Sequence, residues 1–131
     1  MLHLAPWGAV IAAAAAGFVI GGIWFSPLLF GTQWLRALDV SDAEGGRAAG
    51  ALLALPASFV AALVLGILIR SAGVSSAPGG AAVGALVWIA FSVAIHLPAM
   101  FLERAPTRAV IDAGHKLAVY VVMGAIIGAL R

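Results

Sequence analysis

The sequence predicts an all-α integral membrane protein, a bundle of four transmembrane helices, and three observations carry that prediction. Of the 131 residues, 64% are hydrophobic and only 9% are charged, against roughly 25% charged in a soluble domain. A water-soluble fold this small cannot bury so much apolar side chain, so lipid has to replace water as the main solvent. The apolar residues also fall into four runs of about 20 or more, the length that crosses a hydrocarbon core of about 30 Å. These runs and their connectors use up the chain, so a single transmembrane domain over 1–131 is expected, with no soluble appendage.

The first span is expected over residues 6–30. Trp24 sits near its end, and Pro27 should kink or end the helix because proline has no N–H to give the ladder. Ala12 to Ala16 resembles the apolar stretch of a signal peptide. No Lys or Arg precedes it, however, and the run continues to Phe30, so it reads as a retained span. Gly31 to Arg47 is the sizeable polar stretch, with Gln33, Arg36, Asp39, Asp42, Glu44 and Arg47. Ser41 with Glu44 fits a capping box, and an amphipathic interfacial turn around Trp34 and Leu35 fits equally well.

The second span is expected over 48–69, with Pro56 inside it. A Ser/Gly/Pro connector from Ser71 to Gly80 leads to the third span, 81–102, which contains His96 and Pro98. Glu103 to Thr107 makes a tight turn around Pro106, and the fourth span runs over 108–130. Arg47 to Arg70 and Arg108 to Arg131 are segments of equal length that begin and end in Arg, and spans one and three both end in a proline-containing apolar run. This suggests an internal duplication, two helical hairpins in parallel repeat.

Loops one and three hold Arg36, Arg47, Arg104 and Arg108, while the opposite side holds Arg70 and Arg131. The positive-inside rule then places loops one and three in the cytoplasm of a multi-pass cell-membrane protein. Small-xxx-small pairs occur at Gly17/Gly21, Gly80/Gly84 and Gly124/Gly128. Such pairs let helices approach closely in lipid, either within the chain or between copies. So thin a bundle favours a homo-oligomer, with membrane lipid as the other partner.

Ionisable residues inside a span cost about 2.5–3.5 kcal/mol on insertion scales, so they usually face the bundle interior. Here they gather in spans three and four. His96 and His115 are equally distant in sequence from the turn between Glu103 and Arg108, which predicts equal depth in an antiparallel hairpin. Arg108, Asp112 and His115 share one helix face, as do Ser92, His96 and Glu103. The expected site is therefore His96, Asp112 and His115 facing one another, with Arg108, Glu103 and Lys116 closing it toward loop three. Such a cluster could relay protons, pass a solute or hold a metal ion. The alternative is a structural network in which Asp112 pairs with Lys116 or Arg108 and each histidine bonds a backbone carbonyl, helped by Pro98, which frees the carbonyl of Ala94. Trp24, Phe25, Phe30 and Trp34 read as an aromatic interfacial belt, with a lipid or ligand pocket as the alternative.

Other classes are disfavoured. There is no cysteine, which removes disulfides, thiol catalysis and thiolate metal sites. The net charge is only +2 and no polybasic run exists, so nucleic acid is not an expected partner. Nucleophile elbow, phosphate loop and metalloprotease helix are all missing, and Ser26 and Ser58 lack an adjacent base. Neither an enzyme nor a cofactor is expected. The reading is a small transport or permeation protein for a small solute or protons. The competing reading is a non-catalytic membrane module that organises lipids or partner proteins.

The segment Trp24-Phe25-Ser26-Pro27-Leu28-Leu29-Phe30-Gly31, followed by Trp34, resembles the first-span motif of a bacterial four-span membrane family catalogued as domain of unknown function 1761. Ile111-Asp112-Ala113-Gly114, followed by Met123-Gly124-Ala125-Ile126-Ile127-Gly128, is similar to a second motif of that family. This chain has Phe25 where the family pattern usually has Tyr, and His115-Lys116 where it tends to have Tyr then His. The resemblance implies four spans and a membrane location.

Overall fold

All four apolar runs form helices long enough and apolar enough to cross a membrane. The computed structural model describes residues 2–38, 43–104 and 106–131, without the side chains of Leu38 and residues 43–49. After a short 3-10 turn at Leu2–Leu4 come helices α1 (Trp7–Trp24), α2 (Gly31–Leu38), α3 (Ala43–Ser71), α4 (Ala77–Val87), α5 (Val93–Phe101) and α6 (Pro106–Leu130). A π-helical turn, Trp88–Ser92, joins α4 to α5, so Ala77–Phe101 crosses as one span. No strand occurs among the described residues. The expected capping box at Ser41 and Glu44 lies outside the described residues.

The first span ends at Trp24, short of the expected Phe30, and the chain chemistry explains why. Ser26 turns its hydroxyl back to the carbonyl of Ile23 at 2.6 Å, and Pro27 can offer no N–H to continue the ladder. The N–H groups of Phe30 and Gly31 instead close onto the carbonyls of Trp24 and Ser26, at 3.0 and 2.9 Å. Gly31 is buried in this fold-back, where a Cβ would strike the carbonyl of Phe25. The expected amphipathic segment around Trp34 and Leu35 forms the short helix α2, which packs on α6.

Helix α3 stops in a Schellman motif. Gly73 takes φ +69°, its N–H bonds the carbonyl of Arg70 at 3.1 Å, and the N–H of Val74 bonds that of Ile69 at 3.1 Å. The third span begins at Ala77 because Ser76 caps it: its hydroxyl accepts the Gly79 N–H at 3.2 Å, and Pro78 fits the first turn. Arg131 donates to the carbonyls of Ile69 and Arg70, both at 3.3 Å, tying the end of α6 to the end of α3.

Helix α6 touches every other helix. Its contact with α4 is made backbone to backbone. A Cβ at Gly80 would collide with the carbonyl of Gly124, one at Gly84 with that of Tyr120, one at Gly124 with that of Gly80, and one at Gly128 with that of Ser76. A Cβ at Gly17 would meet Met123 and Ser58, and one at Gly21 would meet His115. All three small-xxx-small pairs therefore act inside the chain.

The bundle divides into two halves along its length. Ala9, Val10 and Ala13 of α1, Ala62, Leu65 and Ile69 of α3, and Val119, Met123 and Ile127 of α6 form one apolar core. This core occupies the half that holds the ends of α3 and α6. The polar and aromatic residues occupy the other half, beside loops one and three. Outside, large apolar side chains such as Leu52, Leu53, Phe91, Ile95 and Leu102 are exposed, as a lipid-solvated surface requires.

Candidate functional site

Three indole N–H groups converge on three successive residues of α6. Trp24, at the end of α1, donates to the carbonyl of Ile111 at 3.1 Å. Trp34, on α2, donates to Asp112 Oδ1 at 2.8 Å. Trp88, at the start of the π turn, donates to the carbonyl of Ala113 at 2.8 Å. An indole N–H away from water must find an acceptor. A helix carbonyl keeps a second lone pair after its i+4 bond and can serve. Gly114 completes the seat: a Cβ there would come within 3.1 Å of the Trp24 ring. Phe30 stacks obliquely on Trp24 and Phe25 on Trp34, with centroids 4.8 and 5.1 Å apart.

The aromatic residues expected as an interfacial belt thus turn their polar edges inward at Trp24 and Trp34. Trp88 was not singled out by sequence reasoning. The available signal was an indole donor placed inside an apolar span.

Asp112 is also the hinge of the polar site. Its Oδ2 lies 3.7 Å from Arg108 Nε one turn earlier, an i,i+4 ion pair. Across from it, α5 presents His96, which is only 8% exposed. His96 Nδ1 lies 2.7 Å from the carbonyl of Ser92, the last residue of the π turn. Between α5 and α6 lies a cleft of about 150 Å³ lined by Ile95, His96, Ala99, Glu103, Arg108, Ala109 and Asp112.

Four of the six expected site residues therefore share one cavity: His96, Glu103, Arg108 and Asp112. His115 and Lys116 do not line it. His115 packs toward α1, edge-on to Phe25 with centroids 4.8 Å apart and beside Trp24 at 6.1 Å. Its Nε2 is buried with no hydrogen-bond partner among the described residues. The difference is rotational. Equal distance from a turn sets equal depth, but position 115 lies about 60° around the helix from position 112, which turns it from α5 toward α1. Lys116 makes no ion pair among the described residues, and Asp112 is engaged by Arg108. No group of three or more His, Asp or Glu among the described residues is placed to hold a metal ion.

Four apolar helices with a polar cleft at one end of the bundle define a four-span membrane protein. The chain belongs to the family described as Protein of unknown function (DUF1761), whose profile matches residues 8–128. Neither a curated protein nor a solved structure matches it. Both motifs that carried the resemblance are parts of one junction: Trp24 and Trp34 of the first supply donors, and Ile111 and Asp112 of the second accept them.

Proposed function

We propose that the chain is a small transport or permeation protein of the cell membrane, passing a small solute or protons through the cleft between α5 and α6. The observation that supports this reading is the cleft itself. It combines Glu103, Arg108 and Asp112 with a nearly buried histidine, while the opposite half of the bundle is packed mainly by apolar side chains and bare backbone. Helices α4 and α6 meet in their other half through glycine, bare backbone and apolar side chains, so holding the hairpin together does not require ionisable groups. Placing an ionisable side chain such as Asp112 inside a span costs about 2.5–3.5 kcal/mol, which favours a functional reason for it. In this reading loops one and three are cytoplasmic and the cleft faces that side. Assembly of more than one copy also belongs to it, through faces other than the glycine pairs.

A second reading, a non-catalytic module that organises lipids or partner proteins, draws on the three indole bonds. They hold the end of α1, α2 and the π turn of the third span on α6, as a fixed docking platform would need. Reconstitution separates the two. Proteoliposomes should pass protons, read by an internal pH dye, or one of urea, glycine and methylammonium, read by osmotic recovery, faster than protein-free vesicles. His96→Phe should abolish the excess while the protein stays folded. Protein-free rates for the whole panel would leave the module reading.

A further inference from the structure

Resting on the transport reading, the inference concerns what the cleft accepts. We propose that it binds a compact monocation that donates hydrogen bonds, the class of ammonium and small protonated primary amines. The cleft offers open acceptors on three side chains. His96 Nδ1 faces a carbonyl, which can only accept, so that nitrogen carries the proton, and in the corresponding neutral tautomer Nε2 presents a lone pair. No partner for that Nε2 exists among the described residues, and the side chain is more than nine-tenths buried in the cleft wall. Asp112 Oδ1 is occupied by Trp34, but Oδ2 sits 3.7 Å from Arg108 Nε, beyond hydrogen-bond length. Glu103, exposed at the mouth, has no ion-pair partner among the described residues.

Charge points the same way. In that tautomer Glu103 and Asp112 set two negative charges against one positive charge on Arg108, so a single added positive charge balances the cleft. An anion would meet two carboxylates against a single guanidinium. Size limits the guest: about 150 Å³ lies well under the roughly 300 Å³ at which drug-sized pockets begin.

The test uses the full chain in detergent micelles and calorimetric titration with methylammonium chloride, tetramethylammonium chloride and sodium acetate. Methylammonium should bind saturably. Tetramethylammonium, which has the charge but no N–H, should bind at least ten-fold more weakly, and acetate not at all. Glu103→Gln, an exposed position whose folding is checked by its melting curve, should weaken methylammonium binding ten-fold or more. Equal binding of tetramethylammonium, binding of acetate, or no binding of methylammonium would each overturn the proposal. Flux of another solute without methylammonium binding removes this inference and leaves transport standing. Binding without flux of any solute does the reverse.

Discussion

Trp34 and Asp112 stand 78 positions apart in sequence and meet in a hydrogen bond of 2.8 Å between indole Nε1 and carboxylate Oδ1. Through this bond the short helix α2, outside the four spans, is fastened to the residue that also pairs with Arg108 and lines the cleft. A hydrogen bond to a charged acceptor contributes about 1.5–3 kcal/mol. Trp34→Phe keeps the aromatic packing on Phe25 and loses the donor. It should lower stability within that range and raise amide exchange along α2. In a double-mutant cycle with Asp112→Ala, the two changes should couple by about 0.5–3 kcal/mol. Additive effects would show that the bond contributes nothing.

The glycines divide into two groups with opposite expected behaviour. At Gly80, Gly84 and Gly124 an added Cβ runs into a facing carbonyl, which no rotamer change can relieve. Alanine at any of these should cost about 1–3 kcal/mol by overpacking. At Gly8 and Gly22 a Cβ meets nothing within 4 Å, so alanine there should be neutral or stabilise by up to about 1 kcal/mol through helix propensity. Melting curves of the two sets in one detergent check this. Equal behaviour would contradict the backbone-to-backbone contact.

The two histidines should also part company. His115 Nε2 is buried without a partner among aromatic rings, and an unsatisfied buried polar atom costs about 1–3 kcal/mol. His115→Phe should leave the melting temperature unchanged or raise it. His96→Phe loses the bond to the Ser92 carbonyl and should lower it. A large loss of stability in His115→Phe would mean that Nε2 has a partner in the membrane.

The reach of the sequence is visible in these same residues. Four apolar runs dictate four spanning helices because lipid leaves the backbone no other partner, and Pro27 marked the neighbourhood in which α1 ends. The end itself fell at Trp24 because Ser26 and Gly31 fold the chain back, a tertiary arrangement that hydropathy does not register. The glycine pairs announced close approach, but helix periodicity cannot say whether the facing helix belongs to the same chain. His96 and His115 were assigned a common depth from their spacing to the turn. Their facing depends on helix rotation, and the span carrying His96 contains a π turn at Trp88–Ser92 that no local pattern announced. Trp24 and Trp34 read as belt residues because half of each ring is apolar. Their acceptors lie 87 and 78 positions away, beyond any local pattern.

Thiol accessibility tests the central claim, that the space between α5 and α6 is open to water. The chain has no cysteine, so single substitutions report without background. Ala99→Cys and Glu103→Cys place a thiol on the α5 wall and at the mouth of the cleft, while Ala13→Cys and Ala62→Cys place one in the apolar core. In sealed proteoliposomes treated with a membrane-impermeant cationic thiosulfonate, the cleft thiols should react in those molecules whose loop three faces the reagent, with the core thiols inert. Cleft thiols as unreactive as those of the core, in protein that melts like the parent, would contradict the account.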